Sequence, residues 1–191
     1  MKALYFEQHG ELDVIQYGDV PEPETGPGQV KIRVRATALN YLDIWVQRGW
    51  PGLKLEMPHW CGADVAGEIV ELGEGVTEWQ VGQRVVADPG VNLFEDEYTA
   101  RGEDCLSPGY HILGEHQRGG AADYIVLPAG SLATIPDRVG FEEAAATGAK
   151  AHVVGQWVQE QLFFLELKMT REVASEHWGQ RRQQRLGVGA R

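Results

Sequence analysis

Residues 30–39, VKIRVRATAL, set Val30, Ile32, Val34 and Ala36 against Lys31, Arg33 and Arg35 in strict alternation. A two-residue period of this length suits a strand with one buried face, whereas a helix repeats its apolar positions every three to four residues. The pattern predicts a half-buried strand whose basic side lies in solvent. Before it, DVPEPETGPGQ is a Pro/Gly loop. Other β-type runs share the first 150 residues: MKALYF, VAGEIVELGEGV with its glycine turn, VGQRVVADPG ended by Pro89, and two short runs in AADYIVLPAGSLATIP. Glycine supplies 24 of 191 residues, about an eighth against a usual 7%, which favours turn-rich β structure over a helical bundle. Many short strands at this spacing predict a closed or partly open β-barrel.

Helical signals are few. NYLDIWVQRG, residues 40–49, has apolar residues at Leu42, Trp45 and Val46, an N-cap in Asn40 and a glycine stop in Gly49. Near residue 150 the composition changes. Residues 1–149 carry a net charge of −14 and residues 150–191 a net +3. In that tail Val154, Val158, Leu162, Leu165 and Met169 recur at steps of three and four, predicting an amphipathic helix that could join a second copy of the chain.

The formal net charge of −11 argues against nucleic acid and anionic membrane surfaces as partners, since both require a basic footprint. No stretch approaches a membrane span. Cys61 and Cys105 are too few for a disulfide framework, so a reducing, cytoplasmic setting is expected.

The words GPGQVKIRVRATALNYLDIWVQRG, PHWCGADVAGEIVELGEGVTEWQVGQRVV, GYHILGEHQRGGAADYIVLPA and IPDRVGFEEAAA, in that order over residues 1–146, resemble the GroES-like catalytic domain of the medium-chain dehydrogenase/reductase superfamily. That superfamily includes zinc alcohol dehydrogenases and zinc-free quinone oxidoreductases. The resemblance implies a mainly β (α+β) fold, a GroES-like partly open barrel over residues 1–147, with an atypical helical, basic tail over 148–191. It also implies a second, Rossmann-type domain for the dinucleotide after EEAAA. That domain is not found here: LGVGAR at 186–191 has neither a strand before it nor a helix after it. The change after Ala146 is read as a frameshift or truncated gene.

Catalytic zinc in the superfamily uses a cysteine before the short helix and a histidine followed by an acidic residue. By this resemblance those positions hold Asn40, Ala63 and Asp64, and the first two are not ordinary zinc ligands. Cys61 and His59, two residues apart, read as a half-buried loop cysteine and a surface histidine. A second, structural zinc uses four cysteines in a projecting lobe. Its positions hold Leu93, Asp96, Thr99 and Ser107, with Cys105 out of register, so the lobe is expected to be held by its own packing. No metal site is assigned and zinc is not expected.

Asn40-x-x-Asp43, followed by Arg48 and Gly49, is similar to the quinone-reductase branch. The likeness implies that Asn40 and Asp43 contact the nicotinamide half of NADP or NAD, or fix the loop that does. Tyr41 and Asp64 are the candidate catalytic residues, Tyr41 as a phenol that could donate to a substrate carbonyl. Plainer roles stand beside these: Asn40 as an N-cap, Asp43 as a solvated helix residue, Tyr41 as rim packing. His111 and His116 read as loop spectators. The implied function is a zinc-independent NAD(P)-dependent oxidoreductase, alcohol dehydrogenase- or quinone reductase-like, acting on a small-molecule carbonyl or enone substrate. This chain would supply the substrate-side domain only and be inactive alone. The competing reading is a non-catalytic GroES-like binding or oligomerisation module.

Overall fold

The computed structural model describes residues 1–147; the expected tail helix and its role in self-association lie outside the described residues. Nine strands and few helices make up the fold among the described residues. β1 (Lys2–Tyr5) and β2 (Gln16–Asp19) pair as an antiparallel hairpin. β3 (Gln29–Ala38) follows the Pro/Gly loop and leads into α1 (Tyr41–Arg48). β4 (Asp64–Leu72) and β5 (Arg84–Ala87) come next. β6 (Gly90–Asn92), the short α2 (Glu97–Arg101) and β7 (Tyr110–Ile112) form the lobe. β8 (Tyr124–Pro128) and β9 (Leu132–Thr134) complete the strands, and residues 141–147 are helical.

The main sheet has five strands in the order β8-β3-β4-β5-β9, all antiparallel neighbours. Its two edges, β8 and β9, are nearly consecutive in the chain. From Pro128 to Leu132 the backbone takes four steps, at most about 14 Å. In a flat sheet, edges four strand spacings apart would be about 19 Å from each other. The sheet must therefore curl. Yet β8 and β9 do not pair with each other, so the curl stops short of a closed barrel. The partly open architecture holds; full closure does not.

A bulge decides what β3 does with its side chains. Register shifts occur between Lys31 and Ile32 and between Val34 and Ala36. Val30 and Ile32 lie in the inner core with Val65, Ile69, Val85 and Leu127. Ala36 pairs with Ala66 and packs with the outer cluster, together with Val86 and Val139. The expected single apolar face thus switches sides partway, because an extra residue in one strand inverts the inward–outward alternation. Lys31 corrects the reading of a solvated basic side. It is buried, with its ammonium 3.1 Å from Glu22 and 2.9 Å from Glu71. Arg33 and Arg35 are exposed as expected. Gly67 of β4 is required by close approach: a β-carbon there would collide with the Arg33 carbonyl of β3.

Candidate functional site

α1 begins where β3 leaves the sheet. Asn40 is its extended N-cap and forms a capping box with Asp43, satisfying backbone donors that a helix start leaves orphaned. The Asp43 carboxylate accepts the Asn40 backbone N–H at 2.6 Å on one oxygen and the Gly62 N–H at 3.0 Å on the other. Gly49, at φ 75°, ends the helix as the sequence predicts.

Across from the cap, Asp64 opens β4 and is buried. The Asn40 side-chain amide donates to its carboxylate at 2.8 Å. Asn40, Asp43 and Asp64 therefore form one hydrogen-bonded unit spanning the end of β3, the start of α1 and the start of β4. Gly62 links it to the rest of the wall. Its carbonyl accepts from Gly120 N–H at 2.7 Å, while Cys61 O accepts from Ala121 N–H and Trp60 O from Gly119 N–H. With φ 102° and the backbone of Gly120 and Ala121 against it, position 62 has no room for a side chain.

Sequence reasoning singled out all three polar residues, and the structure brings them together. It did not identify Gly62 as the backbone donor that ties Asp43 to the wall; the glycine within CGAD was the available signal. Tyr41 sits apart from this unit at the first turn of α1. It is 77% exposed, with its ring 6.4 Å from that of Trp45. Trp45 is itself exposed, and the buried side of α1 is carried by Val46 and Gln47.

Cys61 is half-buried, and its Sγ lies 3.6 Å from the Asp43 carbonyl oxygen. Burial pushes its thiol up to about 12, and the Asp43 charge adds to the shift. His59 corrects the expectation of a surface histidine. It is 1% exposed, pairs through its backbone with Phe6, and has Nε2 3.1 Å from the Gly114 carbonyl. Donation to that carbonyl requires the proton on Nε2. Burial lowers the pKa of His59 and favours this neutral ring. His111 and His116 stack with centroids 5.3 Å apart, and His116 Nδ1 accepts the Ile112 N–H.

The residues at the expected catalytic-zinc positions do not suit the ion. Ala63 carries no donor atom, and the Asn40 amide nitrogen has no lone pair to give. Asp64 is already engaged by Asn40. Among the described residues no group of three or more His, Cys, Asp and Glu side chains is placed to hold a metal ion. No helix among them is long and apolar enough to cross a membrane.

Residues 26–137 match the model of the alcohol dehydrogenase GroES-like domain. L-threonine 3-dehydrogenase of Chelativorans sp. (strain BNC1) is 35% identical over 128 residues, covering 66% of this chain and 37% of that protein. A crystal structure of an NAD-dependent alcohol dehydrogenase superposes with a TM-score of 0.76 at 42% identity, over 79% of this chain and 44% of the other. A cobalt- and zinc-bound thermostable alcohol dehydrogenase from Pyrobaculum aerophilum has a TM-score of 0.71 at 32% identity, over 79% and 45%. The chain spans about two fifths of the length of such relatives.

Proposed function

The chain belongs to the alcohol dehydrogenase GroES-like domain family, an oxidoreductase family, and from that premise we propose a more specific role. Residues 1–147 form the substrate-side wall of a site for hydride transfer between NAD or NADP and a small carbonyl or enone, working without zinc. One observation carries this reading: of the three positions expected to hold zinc ligands, Ala63 has no donor, and Asn40 and Asp64 are bonded to each other, with Asp43 tied to the Asn40 backbone.

The chemistry follows from what that unit leaves available. A bound nicotinamide supplies or takes the hydride. As hydride reaches a carbonyl or enone, negative charge develops on oxygen and needs a nearby donor. Asp64 fixes the Asn40 amide by accepting one of its two hydrogens, so the second has a set direction. Asp43 holds the helix start that carries Asn40 and acts as a positioning residue. The exposed Tyr41 hydroxyl is the proton donor to the substrate oxygen. The described residues hold no glycine-rich strand–turn–helix at which a pyrophosphate could dock. Residues 1–147 by themselves are therefore expected neither to bind NADPH tightly nor to turn over. A cytoplasmic setting is supported by the two unpaired cysteines.

Nuclear magnetic resonance on the full chain tests the reading, with cyclohexenone as probe and elemental analysis of the same sample. Amide shifts at Asn40, Tyr41 and Asp64 that weaken in Asn40→Ala, with zinc far below one per chain, are the expected result. Shifts confined to other faces, or zinc at one per chain, would overturn it.

A further inference from the structure

The lobe between β5 and β8 meets a closure problem that its apolar residues do not solve. Leu93, Phe94 and Leu106 are 54%, 52% and 60% exposed, so packing leaves its tip unsupported. Its base is secured by the β6–β7 hairpin and by Val91 and Leu113, both in the inner core. Between them run residues 93–109, whose ends meet through the Leu93 N–H bond to the Gly109 carbonyl and beside which the Asn92 amide donates to Asp104; the stretch around α2 must be held by something else.

The four positions that resemblance assigns to structural zinc hold Leu93, Asp96, Thr99 and Ser107. A closed tetrahedral site needs four donors. Leu93 offers none, and the remaining three have turned to each other. Asp96 Oδ1 accepts the Tyr98 and Thr99 N–H groups, each at 2.9 Å. Asp96 Oδ2 accepts the Ser107 hydroxyl at 2.7 Å. Thr99 Oγ1 accepts the Asp96 N–H at 2.8 Å and lies 3.0 Å from the Asp96 carbonyl, to which its hydroxyl donates. Ser107 Oγ in turn accepts the Gly109 N–H at 3.0 Å. Thr99 and Ser107 are buried. The donor set thus does not fit the ion, and the oxygens a cation would seek are already committed.

We propose that the lobe is closed by this Asp96-centred knot in place of a metal ion, with the Asp96–Ser107 bond as its fastening across eleven residues. The contacts to Tyr98 and Thr99 are the local N-cap of α2; they shape the helix start without spanning the lobe. The bond to Ser107 joins the two ends of the projecting segment. It is charge-assisted, and such bonds are roughly twice as strong as neutral ones. The order of the lobe around α2 therefore depends chiefly on the Asp96 carboxylate, alongside the Asn92–Asp104 bond, and not on metal supply. This inference concerns the lobe alone and stands apart from the hydride-transfer reading of the cleft.

Hydrogen–deuterium exchange on the full chain separates the fastening from the cap. Ser107→Ala keeps the N-cap but removes the long link together with the acceptor of the Gly109 N–H, whereas Asp96→Ser leaves that acceptor in place and keeps a capping oxygen too short to reach Ser107. Each should speed amide exchange across residues 93–109 by about tenfold, with β3, β4 and β5 unchanged. Treating the wild-type chain with a chelator should leave lobe exchange as it was. Exchange in both variants within twofold of wild type, or a chelator that loosens the wild-type lobe, would overturn the proposal.

Discussion

Asp43 shows how one side chain can be set by a local rule and given its consequence by a distant one. Its spacing from Asn40 is the i, i+3 relation of a capping box, which the sequence displays openly. Its second bond, to Gly62, spans nineteen residues and has no local signature. Replacing Asp43 by alanine strips both backbone donors of their acceptor. The loss should be about 1–3 kcal/mol in urea unfolding, with Asp43→Asn intermediate because an amide offers one oxygen. A loss below half a kilocalorie would mean that neither bond matters to folding. Cys61 gives a second test at this scale. Its thiol, pushed up to about 12, holds almost no thiolate at pH 8, and the thiolate is the reactive species. Native chain treated with iodoacetamide at pH 8 should label the exposed Cys105 well before Cys61, and both equally in denaturant. The burial of His59, like the role of Gly62, has no local signature: it comes from a bridge to Phe6 and the Gly114 carbonyl, neither visible in nearby sequence.

At the scale of elements, long periodic runs were legible and short or irregular ones were not. β3 declared itself by alternation and α1 by its cap and glycine stop. β6 and β7 have three residues each, too few to show a period. The bulge in β3 left no mark, because alternation in sequence continues straight through the point where the pairing slips. Arg84 on β5 does something else that its strand pattern conceals. Its guanidinium donates to the carbonyls of Pro136, Asp137 and Val139 and lies 4.6 Å from the Phe141 ring centroid. It thereby clamps the turn that starts the helical residues 141–147 onto the outer cluster. A planar fork can meet several carbonyls and a ring at once, and an ammonium cannot. Arg84→Lys should therefore cost about 1–2 kcal/mol despite the retained charge, read as a lower urea midpoint. Stability equal to wild type would show that charge alone, and not the fork, holds the turn.

For the molecule as a whole, the curled sheet and the lobe are held by different forces, and this separation is itself testable. The inner core draws residues from every strand of the main sheet, with Ile69 of β4 fully buried among them. Sheet order could not be read from the sequence, since it depends on pairings such as β5 with β9 that join segments about fifty residues apart. Loss of apolar volume at the centre of a continuous core weakens every strand that shares it. Ile69→Ala should cost about 2–5 kcal/mol, a large share of the roughly 5–15 kcal/mol that stabilises a typical domain. The lobe is attached at its base to that core but is held beyond it by hydrogen bonds, chief among them Ser107 to Asp96 and Asn92 to Asp104. Unfolding followed by tryptophan fluorescence should therefore shift strongly in Ile69→Ala, with exchange rising together across β3, β4, β5 and the lobe, because the lobe cannot outlast its base. The reverse coupling is weak: Ser107→Ala frees the tip without removing apolar contacts from the sheet, so its urea midpoint should stay near wild type. If Ser107→Ala instead lowered that midpoint as far as Ile69→Ala does, sheet and lobe would be one cooperative unit, and the lobe would be a pillar of the core.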